Sequence, residues 1–485
     1  MEKYFCVHGH FYQPPRENPW TDEIDIQETA APYHDWNARI NVECYAPLAQ
    51  LGVYEWISFN FGPTLLSWME KKAPKTYENI LTADKKSQEY FEGHGSAMAQ
   101  CYNHMIMPLA DEKDKHTQVI WGIRDFEWRF KRAPKGMWLP ETAVDIATLE
   151  VLAYHGIAFV VLAPRQAAKI RKVSETAWHD VGRFATIQTK RAYRCPLPSG
   201  RSIAAFFYDG HMAHQIGFGN FLNSADYFIR GIEGEIERSF DEPRLIHSAV
   251  DGETYGHHHK GGDKVLRKTL DWVLESKDVK LTNYAQFLHR HPPQFEVEII
   301  EKTSWSCEAA LNRWCLDDHN SYDLATKKVH KWRQALRESL NWLRGQLDAV
   351  YEREIRRYVA DDPWKIRNEY IHLLLDPSEE KVDALIDPQK SLTDKIKVLN
   401  LLQMQKYGMY MFTSCGWFFE DVSRIETIQL LRYAARAIEF AKEVGTNLEA
   451  EFVRRLDLAQ SKDPALISGR GVYQKFIKPL SHAPY

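Results

Sequence analysis

Two acids in this chain stand where an apolar run gives way to turn residues. In Lys135-Gly-Met-Trp-Leu-Pro-Glu-Thr-Ala-Val144, Glu141 follows Pro140 directly. Proline has no N–H and disfavours helix in the residue before it, so the run ends at Leu139 and the acid is left at a strand-to-helix corner. Alone, such a glutamate reads as a helix-start carboxylate favoured by the amide dipole. A second stretch changes that reading. Leu245-Ile-His-Ser-Ala-Val-Asp-Gly-Glu-Thr-Tyr-Gly-His-His-His259 also runs from an apolar strand into acids, glycines and histidines, and opens with Asp251. Two carboxylates at two strand ends are the minimum equipment for cleaving a glycosidic bond.

Other polar residues lie at comparable corners. His8 and His10 alternate at the end of the first apolar run, just before Gln13-Pro14. Such a pair suits metal ligation, hydrogen bonding to sugar hydroxyls, or a plain strand end, and its place at a presumed C-terminal strand edge favours function. Asp209 ends the run Phe206-Phe-Tyr-Asp-Gly210, where it can bind a hydroxyl or simply form an Asp-Gly turn. The triple His257-His-His259 invites a metal, but three consecutive residues do not all face one ion.

The elements that must hold these residues alternate. Strands are expected at Tyr4–Val7, Trp56–Phe61, Met137–Leu139, Ile157–Leu162, Ile203–Tyr208 and Leu245–Val250, with amphipathic stretches at 84–109, 113–131, 143–155 and 222–238. That alternation predicts a parallel sheet with helices outside, closed or nearly closed into a barrel. Near residue 300 the pattern changes to long charged helices, roughly 324–360, 363–375, 379–386, 390–413 and 421–447. The expected division is a barrel over 1–305 and a helical domain over 306–485 packed on it, joined without a Gly/Ser- or Pro-rich linker.

Composition narrows the partners. With 44% hydrophobic and 26% charged residues the chain is an ordinary globular one, and its net charge of −4 gives no footprint for nucleic acid or an anionic membrane. Aromatic residues reach 13%, enough to supply a sugar cleft as well as a core. Seven cysteines without a Cys-x-x-Cys pair read as free thiols in a reducing compartment. With no signal-like or spanning segment, a cytoplasmic location is expected.

His8-Gly-His10 with Gln13-Pro14, Tyr102-Asn-His-Met-Ile-Met-Pro-Leu109, Trp138-Leu-Pro-Glu141 and Asp251-Gly-Glu-Thr-Tyr-Gly256 resemble, in order, the signature regions of glycoside hydrolase family 57. His34-Asp-Trp-Asn-Ala-Arg-Ile40, Phe59-Asn-Phe-Gly-Pro63, Thr303-Ser-Trp-Ser-Cys307 and Phe412-Thr-Ser-Cys-Gly-Trp-Phe-Phe419 resemble one subgroup, in which a helical region of undescribed role follows the barrel.

The resemblance implies a distorted, TIM-like (β/α)7 barrel and a retaining mechanism on α-linked glucans, of amylase, 4-α-glucanotransferase or branching type. It assigns nucleophile to Glu141 and general acid/base to Asp251. His8, His10 and His104 are then expected on sugar hydroxyls, Trp138 and Trp305 beside the cleaved bond, Asp209 on a hydroxyl, and Glu253 in the substrate-binding surroundings, either as a group supporting the site from behind or as a charge that raises the acid's pKa. No cofactor or metal is expected. A metal-dependent polysaccharide deacetylase is the alternative chemistry, with His8, His10, Asp251 and the histidine cluster as ligands, but it leaves Trp-x-x-Glu without a role. A non-catalytic glucan-binding protein is the alternative without chemistry.

Overall fold

The computed structural model describes residues 2–181, 187–238, 242–307, 310–317 and 331–480. They form two compact units, and the division is not a single cut of the chain. The first comprises Met1–Gln13, Ile26–Cys101 and Phe126–Trp305; the second comprises Pro14–Asp25, Tyr102–Asp125 and Ser306–Tyr485.

Strand β1, Lys3–Phe11, is buried along nearly its whole length, as a parallel strand covered on both faces must be. Six more strands run parallel in the same unit: β2 Ser58–Phe61, β3 Ala97–Gln100, β4 Met137–Trp138, β5 Phe159–Leu162, β6 Ser202–Phe207 and β7 Arg244–Asp251. Their spatial order is β7-β1-β2-β3-β4, then β5-β6. A bridge from Gly136 to Phe159 links β4 to β5. A Cβ on Gly136 would lie 2.4 Å from the Phe159 ring, so the glycine is what permits that approach. Between β6 and β7 there is no ladder among the described residues; the Asp209 N–H donates to the His247 carbonyl at 2.9 Å across the gap. The result is a seven-stranded half-open barrel. Beyond β6 the sheet continues through Ala192–Pro196, Phe295–Ile299 and Ala167–Lys172, partly antiparallel.

The inward positions grade from apolar to polar along the strands. Tyr4, Cys6, Phe159, Ala204 and Leu245 fill the lower barrel, and period-two alternation then delivers His8, His10, Asn60, Gln100 and Asp251 above them. Register fixes their neighbours: His10 lies opposite Asn60 on one side and Asp251 on the other.

One expectation fails here. The stretch 84–109 is not one helix: helix Pro74–Tyr90 ends before Gly93 at φ 83°, and strand β3 follows. Ala-Met-Ala-Gln carries no β-branched or aromatic residue, so its strand is imposed by pairing with β2 and β4 rather than by propensity.

The second unit is helical. Its principal helices are Arg333–Ile355, Leu392–Tyr410 and Ile425–Glu443, with shorter ones at Pro363–Glu369, Ile371–Leu375, Glu379–Leu385, Glu449–Leu456 and Gly469–Phe476. The helix expected from 324 is observed from Arg333; 324–330 lie outside the described residues. Leu336, Leu340, Leu343, Leu347 and Val350 supply its buried stripe at helical spacing. Deeper in, Arg344 and Arg367 converge on Asp114, which is held well ionised by the two guanidinium groups despite burial. No helix among the described residues is long and apolar enough to cross a membrane.

Candidate active site

The floor of the site is a hydrogen-bonded layer across three adjacent strands. His8 Nδ1 lies 3.0 Å from Ser58 Oγ and its Nε2 lies 3.0 Å from Asn60 Oδ1. Asn60 Nδ2 donates to Gln100 Oε1 at 2.7 Å and lies 3.0 Å from His10 Nδ1. An Asn60 oxygen that accepts from His8 and a nitrogen that donates to His10 fix both tautomers: His8 protonated on Nε2, His10 on Nε2. Burial pushes both imidazoles down to about 3, so both are neutral. The Trp138 indole stacks on His8 at 4.7 Å and on His10 at 5.0 Å. His8 and Trp138 have no exposed surface and thus underlie the site. The buried Gln100 Nε2 and Trp138 Nε1 have no partner among the described residues, leaving two donors in that floor.

Glu141 stands on a strained turn at the end of β4. It adopts φ 59°, ψ 20°, and Thr142 follows at φ 49°. Two successive non-glycine residues in left-handed conformation cost on the order of 1–3 kcal/mol each, so neighbours must hold them. Gln166, fully buried, does much of this: its Nε2 donates to the Thr142 carbonyl at 2.8 Å and its Oε1 accepts from the Thr142 hydroxyl at 2.9 Å and the Ala163 N–H at 2.8 Å. Trp305 grips the turn twice, its N–H donating to the Glu141 carbonyl at 2.9 Å and its indole Nε1–H to Glu141 Oε2 at 3.1 Å. The carboxylate is thereby aimed, and it remains partly exposed.

Asp251 ends β7 and opens to solvent on one side. Protein on its other sides desolvates the carboxyl, and the charges of Glu253 and then Glu141 add to this, so its pKa is held well above the usual carboxylate range. The influence of Glu141 on Asp251 means the ends of β4 and β7 bring the two acids into one electrostatic environment. Gly252 lets the chain turn immediately: a Cβ there would lie 2.2 Å from the Phe11 ring. Glu253 therefore leaves the strand direction and is buried, where its Oε1 accepts from Tyr45 Oη at 2.5 Å and the Tyr12 N–H at 3.1 Å. Desolvation raises it to about 7 against those bonds. Tyr45 itself comes from a π-helical turn, Asn41–Tyr45, a local widening that recurs at functional sites.

The other sequence candidates separate. Trp305 is partly exposed, at 5.1 Å from Trp138 and 6.1 Å from His10 by ring centroids, both edge-on. Asp209 caps helix Gly210–Gly217 through Met212 N–H at 2.9 Å and pairs with Lys190 at 2.8 Å. His104 belongs to the second unit, buried at φ 58°, with Nδ1 2.6 Å from Ser414 Oγ. The three consecutive histidines diverge: His257 bonds Glu43 at 2.5 Å, and His259 bonds the Gly217 carbonyl at 2.9 Å. Sequence reading overlooked Asn60, Gln100, Tyr45 and Gln166. Only Asn60 left a signal, a polar residue alternating with phenylalanines in Phe59-Asn-Phe61.

Residues 8–300 match the family model described as glycosyl hydrolase family 57. The chain belongs to that family. The match contains every first-unit site residue named above except Trp305, while residues 329–483 match a domain of unknown function (DUF3536). Among curated relatives, Alpha-amylase 1 of Dictyoglomus thermophilum is 29% identical over 106 residues, 22% of this chain and 15% of that protein's length. Among solved family 57-like folds, an exo-type maltose-forming amylase from Pyrococcus sp. ST04 superposes with a TM-score of 0.74 at 15% identity, covering 99% of this chain and 93% of that one. A branching enzyme from Thermococcus kodakaraensis gives 0.60 at 15% identity, covering 99% and 96%. At such identity these likenesses establish the fold.

Proposed function

We propose that this family 57 chain cleaves or transfers α-linked glucosyl units with retention of configuration, Glu141 acting as nucleophile and Asp251 as general acid/base. What supports the reading is the pairing of an aimed, partly exposed carboxylate with a carboxyl whose pKa desolvation and the neighbouring acids raise well above the usual range. In the first step Asp251 gives its proton to the glycosidic oxygen as Glu141 Oε attacks the anomeric carbon. The leaving glucan departs and a β-glucosyl ester remains on Glu141. In the second, the Asp251 carboxylate takes a proton from water or a sugar hydroxyl, which displaces Glu141 and restores the α configuration. Retention of this kind goes with carboxyl groups roughly 5–6 Å apart.

The neutral His10, beside Asp251 in register, serves as a hydrogen-bonding partner for sugar hydroxyls, and Trp305 offers the accessible aromatic edge. Both ring nitrogens of His8 are already bonded within the barrel, which favours a fixed neutral imidazole over a metal ligand. The amylase and branching activities named for the relatives support an α-glucan as the substrate class; product profiles on maltooligosaccharides, amylose and pullulan distinguish hydrolysis from transfer. The roles themselves are tested by substitution. Glu141→Ala should lose turnover of every substrate and recover it with azide or formate, giving a β-glycosyl product. Asp251→Ala should keep turnover of an activated aryl glycoside, whose leaving group needs no proton. Equal loss on aryl and natural substrates in Asp251→Ala would rule out its role as acid.

A further inference from the structure

The second unit contains three deeply buried arginines that no carboxylate among the described residues pairs with. Arg333 and Arg337 stand one turn apart at the start of helix Arg333–Ile355, and Arg313 comes from the short turn Asn312–Trp314. They are 2%, 5% and 7% exposed. Among the described residues their hydrogen bonds go to carbonyl oxygens. Arg313 Nη1 and Arg333 Nη2 both donate to Phe418 O at 3.4 Å, Arg333 Nη2 also to Phe419 O at 3.1 Å, Arg313 Nη2 to Ser306 O at 3.1 Å, and Arg337 Nε to Trp314 O at 2.8 Å. Four guanidinium nitrogens, Arg313 Nε, Arg333 Nε and Nη1, and Arg337 Nη2, are buried with no partner among the described residues; the indole Nε1 of the adjoining Trp332 is a fifth such donor.

Guanidinium groups do not discharge at working pH, so unpaired burial of three of them is costly. Desolvation depresses Arg333 to about 10, with Arg313 adding repulsion, and Arg337 to about 9. The first turn of a helix, where backbone N–H groups point, is also the wrong end for cations. Asp317 acts on Arg333 from a distance, but its Oδ1 accepts from the Gln334 N–H at 3.1 Å and it forms no ion pair with the arginines. The same unit shows how a structural buried arginine is treated: Arg344, equally buried, pairs with Asp114 and Asp348. The aromatic rings beside the cluster, Trp417 at 4.0 Å from Arg337 and Phe418 at 4.4 Å from Arg313, hold the forks in place without cancelling their charge.

We propose that Arg313, Arg333 and Arg337 form a binding site for a phosphate-class oxyanion, free or carried on a small metabolite. Guanidinium forks match phosphate oxygens, and a dianion with several acceptors answers three cations better than a single carboxylate. The site is built entirely from second-unit residues, in the region matching the domain of unknown function and the turn just before it.

The test titrates the full chain with inorganic phosphate by isothermal calorimetry at constant ionic strength set with sodium chloride, alongside glucose 1-phosphate and, as uncharged control, glucose. Saturable binding of phosphate is expected; tighter binding of glucose 1-phosphate would identify a carried phosphate, and equal affinity a free one. Arg333→Met and Arg337→Met should each weaken binding at least tenfold. Because each removes an uncompensated buried cation, neither should lower the melting temperature of the phosphate-free chain, whereas Arg344→Met, which strands Asp114, should. Arg313→Met carries the same expectation should either helix variant fail to fold. Absence of saturable binding of both phosphate ligands to the wild-type chain, or unchanged affinity in the folded methionine variants, overturns the proposal.

Discussion

Replacing Glu253 by Gln removes a buried charge while leaving an oxygen that can still accept from Tyr45 Oη and the Tyr12 N–H. In the folded chain Glu253 is raised from an ordinary 4.5 to about 7. A carboxyl whose folded pKa is raised is most favourable to folding below its unfolded pKa, because the folded state keeps its proton longer. As pH climbs from 4.5 to about 7 the unfolded chain releases that proton first, and stability falls across this window. The full loss is about 3 kcal/mol. Glutamine has no proton to lose, so the variant should gain about 2–3 kcal/mol on wild type between about pH 5 and about pH 8. Urea unfolding of both chains at those two pH values, followed by a signal from the first unit, measures the difference. The same substitution removes a negative charge that raises the Asp251 pKa, so the alkaline limb of kcat/KM should move to lower pH. A stability gap that stays constant with pH, together with an unmoved alkaline limb, would refute this account of Glu253.

Trp305→Phe keeps an aromatic edge but removes the Nε1–H that aims Glu141. Loss of a hydrogen bond to a charged group, worth about 1.5–3 kcal/mol, should lower kcat on the order of tenfold or more, checked against aryl and natural substrates alike. Gln166→Leu releases the strained Glu141–Thr142 turn. It should depress kcat on the order of 100-fold with a smaller change in KM, as steady-state kinetics on a maltooligosaccharide would show. His8 and His10 should give neutral-imidazole nitrogen shifts in NMR across pH 5–8, roughly the range in which an unperturbed histidine titrates; a protonation step within it would contradict their burial-depressed pKa values of about 3.

The barrel strands rich in valine, isoleucine and aromatics were legible because such residues fit a pleated, buried surface. β3 was not, since Ala97-Met-Ala-Gln100 carries only the demand of its neighbours. Glu141 and Asp251 were legible as acids at the ends of apolar runs, and the pattern around each is local. Asn60, Gln100 and Tyr45 act through partners 40 to 208 positions away in sequence, set by register and by a π-turn, and apart from the alternation of Asn60 with phenylalanines nothing local marks them. The left-handed Glu141 illustrates the limit well. A proline before it predicts a corner, but the strain and the Gln166 that holds it exist only once β4 and β5 lie side by side. The buried arginines of the second unit were hidden for the opposite reason, since in sequence Arg333 and Arg337 are ordinary charges on a charged helical stretch and Arg313 is a lone charge before it.

In the proposed mechanism Glu141 forms a glycosyl ester that a second displacement resolves. The anomer released first from an α-glucan, followed by proton NMR before mutarotation, tests it most directly. Two inversions through Glu141 predict the α-anomer. Initial release of the β-anomer would mean a single displacement by water, and would contradict Glu141 as nucleophile.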